Sequence, residues 1–162
     1  MSAIVLPTNE GKLVELPGGH RVTFVYQDTG AAYSLVEWIA PPAIAGPPLH
    51  IHRVTDEAFY VLEGTFGFQA GENTVAGDAG AFVFIPRGLA HTFWCEGPAP
   101  AKLLILISPP GFEQYFGELG PALAAAGDSP EAAMTVRQAL SAKYDIEVVG
   151  APRPASRSSR NG

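Results

Sequence analysis

An all-β sandwich or barrel followed by a short helical region is the fold class this sequence predicts. Three observations predict it. Short runs rich in Val, Ile, Tyr, Phe and Trp recur over the first hundred or so residues. Gly and Pro punctuate them: Pro17-Gly18-Gly19, Pro41-Pro42, Gly46-Pro47-Pro48, Gly71, Gly77 and Gly97-Pro98. Past Pro109-Pro110-Gly111 the apolar spacing changes to that of helices. No α/β alternation and no internal repeat is visible, so a parallel sheet is not expected.

The strand candidates, in order, are Arg21 to Tyr26, Tyr33 to Ile39, Ala58 to Leu62, Phe66 to Gln69, Phe82 to Ile85, His91 to Trp94 and Lys102 to Ser108. After Gly111, the residues Phe112, Tyr115, Phe116 and Leu119 recur at helical spacing. Gly120-Pro121 is expected to interrupt that helix, because an interior Pro loses a hydrogen bond and crowds the preceding turn. Ser129-Pro130-Glu131 opens a second helix, with Ser as N-cap, Pro in the first turn and Glu facing the positive helix end. It should run to about Lys143, and Asp145 to Val149 should be a last extended segment. The plain role of the Phe112/Tyr115/Phe116 stripe is to dock its helix on the β domain. The alternative is that the helix caps the mouth of a ligand cavity. The expected division is 1–110 for the β domain, 111–149 for the helices packed on it and 150–162 for a flexible tail.

Composition narrows the function classes. The chain has 162 residues, 47% hydrophobic and 16% charged, which suits one domain with a sizeable core. A net charge of −6 argues against a nucleic-acid surface. The basic stretch from Arg153 to Arg160 is Ser- and Pro-rich and reads as a disordered end. One cysteine rules out an internal disulfide and suits a reducing cytoplasm. The first residues, Met1 to Val5, carry no secretory pattern, and the longest aliphatic run, Leu103 to Ile107, is too short to span a bilayer. A cytoplasmic protein with no membrane partner is therefore expected.

Three of the four histidines carry the chemistry. His50 and His52 are two apart, so on a strand both rings point to one face. Glu57 follows five residues later, and His91 closes Pro86-Arg87-Gly88-Leu89-Ala90-His91. Three imidazoles and a carboxylate are a sufficient ligand set for a divalent transition metal. Buried imidazoles need a partner, and a metal is one. His20, beside Gly18-Gly19, fits no such pattern and is expected at the surface or in a loop. Cys95 is expected to be a small buried residue, and Arg87 an exposed turn residue. Phe59, Phe66, Phe68, Phe82, Phe84, Phe93 and Trp94 are candidates for the lining of an interior cavity or for plain core.

The segment from Gly46 to Gly64 resembles the first motif of the cupin superfamily: Gly, then His-x-His, three or four residues, Glu, six residues, Gly. The segment from Gly80 to His91 resembles the second: Gly80, five residues, Pro86-x-Gly88, two residues, His91. Two departures exist. Gly46 stands three residues before His50, where the family has five, and Cys95 stands where the second motif usually ends in Asn. Neither removes a ligand. The resemblance implies a cupin jelly-roll β-barrel of the single-domain, quercetinase-like type. It implies a metal held by His50, His52, Glu57 and His91, with Fe, Mn, Ni, Co and Zn all admissible, and Glu57 as the catalytic base. It also implies a homodimer, by analogy.

The function expected from this is a dioxygenase acting on a small aromatic or enol-type compound. An isomerase or lyase using the metal as a Lewis acid, and a non-catalytic small-molecule-binding protein, are the alternatives. Between Gly46 and Ser108 only Arg53, Arg87 and Lys102 are basic, which argues mildly against phosphosugars. An intact ligand set argues against a purely non-catalytic role.

Overall fold

The computed structural model describes residues 5–7, 10–26, 32–127 and 129–153. Its elements in chain order are β1 (Lys12–Leu16), β2 (His20–Tyr26), β3 (Ser34–Ala40), β4 (His50–His52), β5 (Asp56–Glu63), β6 (Thr65–Ala70), β7 (Asn73–Asp78), β8 (Phe82–Ile85), β9 (His91–Cys95), β10 (Ala101–Ser108), α1 (Gln114–Ala126), α2 (Pro130–Lys143) and β11 (Ile146–Val148). The strands form two antiparallel sheets, with orders β1-β2-β3-β10-β5-β8 and β11-β4-β9-β6-β7. This is the jelly-roll arrangement expected.

Strict alternation explains the first sheet. β3 and β10 each alternate buried and half-exposed residues along their whole length. Val36, Trp38, Leu103, Ile105 and Ile107 therefore share the inner face with Phe59 and Val61. Phe66, Phe68, Phe93 and Cys95 face them from the second sheet. Ring contacts bridge the layers: Phe59 lies 5.4 Å from Phe93, and Trp38 lies 5.2 Å from Phe93. Truncating one such core side chain costs about 2–5 kcal/mol.

Three strands, β1, β4 and β7, lay outside the strand candidates of the sequence. β7 is Asn-Thr-Val-Ala-Gly-Asp, poor in strand formers, and only Gly77 is buried. Six paired positions along β6 hold it. β1 is short and held by pairing to β2. The interruption expected at Gly120-Pro121 does not occur: α1 continues through Pro121. Burial of Phe116, Leu119 and Leu123 on one face of α1 offsets the cost. Three buried apolar side chains contribute about 1.5–3 kcal/mol each, against about 3 kcal/mol for an interior Pro. The second helix starts as expected, with Ser129 Oγ accepting from Ala132 N at 3.3 Å.

β11 pairs with β4, with Ile146 opposite His52 and Val148 opposite His50. The flexible tail expected from 150 is packed at its start. Gly150 N donates to Leu49 O, and Arg153 donates to Gln69 Oε1 at 2.7 Å over the Trp94 ring. The remainder of that tail, residues 154–162, and the first residues read for a secretory pattern, 1–4, lie outside the described residues. Among the described residues no helix is long and apolar enough to cross a membrane.

Candidate metal centre

His50, His52, Glu57 and His91 come together, each offering one donor atom within 4.8 Å of all the others. Both sheets contribute. His50 on β4 stands directly opposite His91 on β9, and their rings are 4.4 Å apart. Glu57 reaches in from β5 of the other sheet. All four are buried, at 7, 2, 4 and 2% exposure in sequence order.

Backbone carbonyls aim two of the rings. His50 Nδ1 donates to Pro48 O at 2.8 Å, and His91 Nδ1 donates to Leu89 O at 3.0 Å. A carbonyl only accepts, so in both rings Nδ1 carries the proton. A neutral ring then turns a bare Nε2 lone pair inward. There His50 Nε2 meets His52 Nε2 at 3.2 Å, and His91 Nε2 meets Glu57 Oε2 at 2.8 Å. Lone pairs at such distances repel unless a proton or a metal cation sits among them. The donor set fits a divalent transition metal on that ground. His52 is aimed differently. Its Nδ1 is buried without a hydrogen-bond partner, and its ring rests on Phe112 at 4.2 Å.

The electrostatics follow from burial and mutual proximity. Burial, helped by the neighbouring imidazoles, pulls His50 down to about 3, so its ring is neutral at ordinary pH. Burial pushes the Glu57 carboxyl up, but the charge and hydrogen bonds of His52 and His91 outweigh it and hold Glu57 below the usual range. Burial pulls His91 down, and the Glu57 carboxylate overcomes it, raising His91.

The turn of the second motif is clamped from two sides. Gly88, at φ +84°, donates its N–H to His52 O at 2.8 Å. Arg87 grips Asp56 through its backbone N–H, Nε and Nη2, at 2.8, 3.0 and 2.7 Å. Arg87 is half-exposed, as expected of a turn residue, and the grip holds the Asp56 carboxyl down to about 2. Gly46, despite its unusual spacing, is required: a Cβ there would collide with Phe93 O. Cys95 is fully buried, its thiol 3.5 Å from Ala99 O.

Beside the cluster lies a cavity of about 900 Å³, of the size that holds small ligands. His50 and Glu57 line it, and so do Trp38, Phe93, Phe112 and Phe116. The expected lining is corrected here. Of the seven aromatic candidates only Phe93 lines the cavity. Phe59, Phe66 and Phe68 are core, and Phe82 and Phe84 are 63 and 55% exposed. Trp94 lies over Gly67, outside the barrel interior. The helical stripe does cap the cavity, so the alternative reading of Phe112, Tyr115 and Phe116 holds. His20 is corrected too. It is buried, accepts from Trp38 Nε1 at Nδ1 and donates from Nε2 to Ala45 O, so neither nitrogen is left for a metal. Arg137 of α2 was missed. It lines the cavity from a helix outside the segment searched for basic residues, and hydropathy carries no signal of it.

The comparisons agree with this geometry. The family described as the cupin domain matches residues 36–107, which span both motifs. No functionally curated protein matches the chain. The structure of KdgF from Halomonas sp. is similar at 18% identity and a TM-score of 0.62, covering 70% of this chain and 99% of that one. An RmlC-like cupin from Shewanella frigidimarina is similar at 21% and 0.61, covering 70 and 96%. A sugar phosphate isomerase of the cupin superfamily from Silicibacter pomeroyi is similar at 19% and 0.57, covering 65 and 75%.

Proposed function

We propose that this chain, whose residues 36–107 match the cupin domain, is a cupin and a metal-dependent dioxygenase acting on a small aromatic or enol-type compound. One observation carries the reading: four convergent, buried donors, of which His50 and Glu57 line a cavity walled by aromatic rings. His50, His52, His91 and Glu57 would hold the metal, one of Fe, Mn, Ni, Co or Zn. When bound it supplies a Lewis-acidic site with open positions for oxygen and substrate.

The protein's own groups do the rest. The aromatic wall binds a flat apolar ring and keeps water from it. Glu57 is ionised at neutral pH and accepts the proton of a substrate hydroxyl at its carboxylate oxygen. The resulting enolate is the electron-rich form that reacts with oxygen. The carbonyls of Pro48 and Leu89 keep two rings fixed while this happens.

A Lewis-acid isomerase or lyase remains the second reading, and Arg137 in the cavity wall favours it, since such enzymes grip charged substrates. An oxygen electrode separates the two. Protein reconstituted with each metal in turn is run against flavonols, catechols and 1,3-diketones. Oxygen uptake with at least one pair is expected. No uptake in any metal form, together with activity in an anaerobic isomerase or lyase assay, overturns the oxygenase reading.

A further inference from the structure

We propose that Arg137 makes the helical wall of the cavity a subsite for a carboxylate, so that the ligand is amphiphilic, with an apolar body between a metal-binding oxygen and an anionic end. The inference rests on the reading that this cavity is the ligand site; it does not rest on oxygen chemistry.

The face that α2 turns to the cavity is unusual. Met134, Arg137, Gln138, Ser141 and Ala142 line the cavity, at the spacing of one helix face. A helix face turned inward for packing alone is apolar. Three of these five residues are polar, and the packing of α2 on the core is carried by Ala133, Val136 and Leu140 instead. Arg137 is half-buried. Among the described residues no carboxylate forms an ion pair with it. Glu57 is the one carboxylate among the lining residues, and it belongs to the metal cluster. A partly desolvated cation without a counter-charge is costly, and a ligand carboxylate relieves that cost.

The guanidinium also lies beside a packed ring. The Arg137 charge and the Ser141 hydroxyl lie close enough to the hydroxyl of half-buried Tyr115 to act on it. The Tyr115 ring stacks on Phe112 at 5.6 Å, and Phe112 rests on His52 at 4.2 Å. A chain of packed rings thus sets the offset between the cation and the metal cluster. One guanidinium fork matches one planar carboxylate in a bidentate pair. Among the described residues no second Lys or Arg lines the cavity, so the wall suits a monoanion better than a phosphate dianion.

The test compares 6-hydroxy-2-naphthoate with 2-naphthol, the same flat body with and without a carboxylate. Binding is read by tryptophan quenching, since Trp38 lines the cavity, on metal-loaded protein kept under nitrogen. Wild type should prefer the naphthoate by about tenfold, the size of a charge-assisted hydrogen bond. Arg137→Gln should erase that preference and leave 2-naphthol binding and metal content unchanged. Arg137→Lys should keep part of it. Tyr115→Phe, which keeps the ring stack, should weaken it less than Arg137→Gln does. The proposal is overturned if wild type shows no preference or binds neither probe, if Arg137→Gln keeps the preference, or if that variant loses both ligands alike. Oxygen uptake plays no part in the readout, so failure here leaves the oxygenase reading standing, and failure of that reading leaves this one standing.

Discussion

The strand side and the helical side of the cavity aim their functional groups by different means. On the strand side, hydrogen bonds do it: Pro48 O fixes His50, Leu89 O fixes His91, and Gly88 N ties the second-motif turn back to His52 O. On the helical side, packed rings do it: Phe112 on His52 and Tyr115 on Phe112, with Arg137 beside Tyr115. His52 belongs to both. Its ring nitrogen Nε2 sits in the cluster, while its Nδ1 has no partner and its ring leans on Phe112. Hydrogen bonds set angles tightly and fail when one atom is removed. Ring packing tolerates small shifts and fails when volume is removed.

The largest effect should come from removing the residue the two sides share. His52→Ala should abolish metal retention and destabilise the protein by about 2–4 kcal/mol, through the lost ring packing and the unsatisfied donors left behind. Elemental analysis and denaturant unfolding read both, and a metal-replete variant would show that three donors suffice. Glu57→Gln should come next and affect one function only. Turnover should fall by about 10²–10⁴, while most of the metal stays. Metal loss as severe as that of His52→Ala would make Glu57 a holding ligand and not a base.

Phe112→Ala tests whether ring packing aims His52. Stability should fall by about 3 kcal/mol, and metal affinity by about 10–100-fold, the range seen when groups that orient ligands are removed. Unchanged affinity in the folded variant would mean that β4 alone sets the ring. The smallest effect belongs to the exposed clamp. Asp56→Asn should lower metal affinity by no more than about tenfold. Its pH dependence has a definite sign. The Asp56 carboxyl is depressed to about 2 by Arg87, so its contribution is complete above the unfolded value of about 4 and is lost as pH falls toward 2. The thermal midpoints of wild type and Asp56→Asn should therefore differ at neutral pH and converge in acid.

Much of the strand side was legible in the sequence. Period-two alternation marks the inner faces of β3 and β10, and His50-x-His52 places two rings on one face whatever the rest of the fold does. Glu57 and His91 were legible from motif spacing. The alternation and the His50-x-His52 pair are short-range properties set by backbone geometry, whereas Glu57 and His91 rest on the resemblance to the cupin motifs. The helical side was legible only as elements. Helical spacing announces α1 and α2, yet Pro121 reads locally as a break, and only burial of the α1 face decides otherwise.

What the tertiary structure alone decided is which groups meet. Phe82 and Phe84 look like lining residues and face outward, because the register of β8 against β5 puts Val83 and Ile85 inside. His20 looks like a loop residue and is buried, because Trp38 and Ala45 offer both its nitrogens a partner. Arg137 looks like one more surface cation and joins the cavity wall, because α2 folds back over the barrel mouth before β11 pairs with β4. Sequence periodicity determines which face of an element a residue occupies. Only long-range packing determines what that face is turned toward.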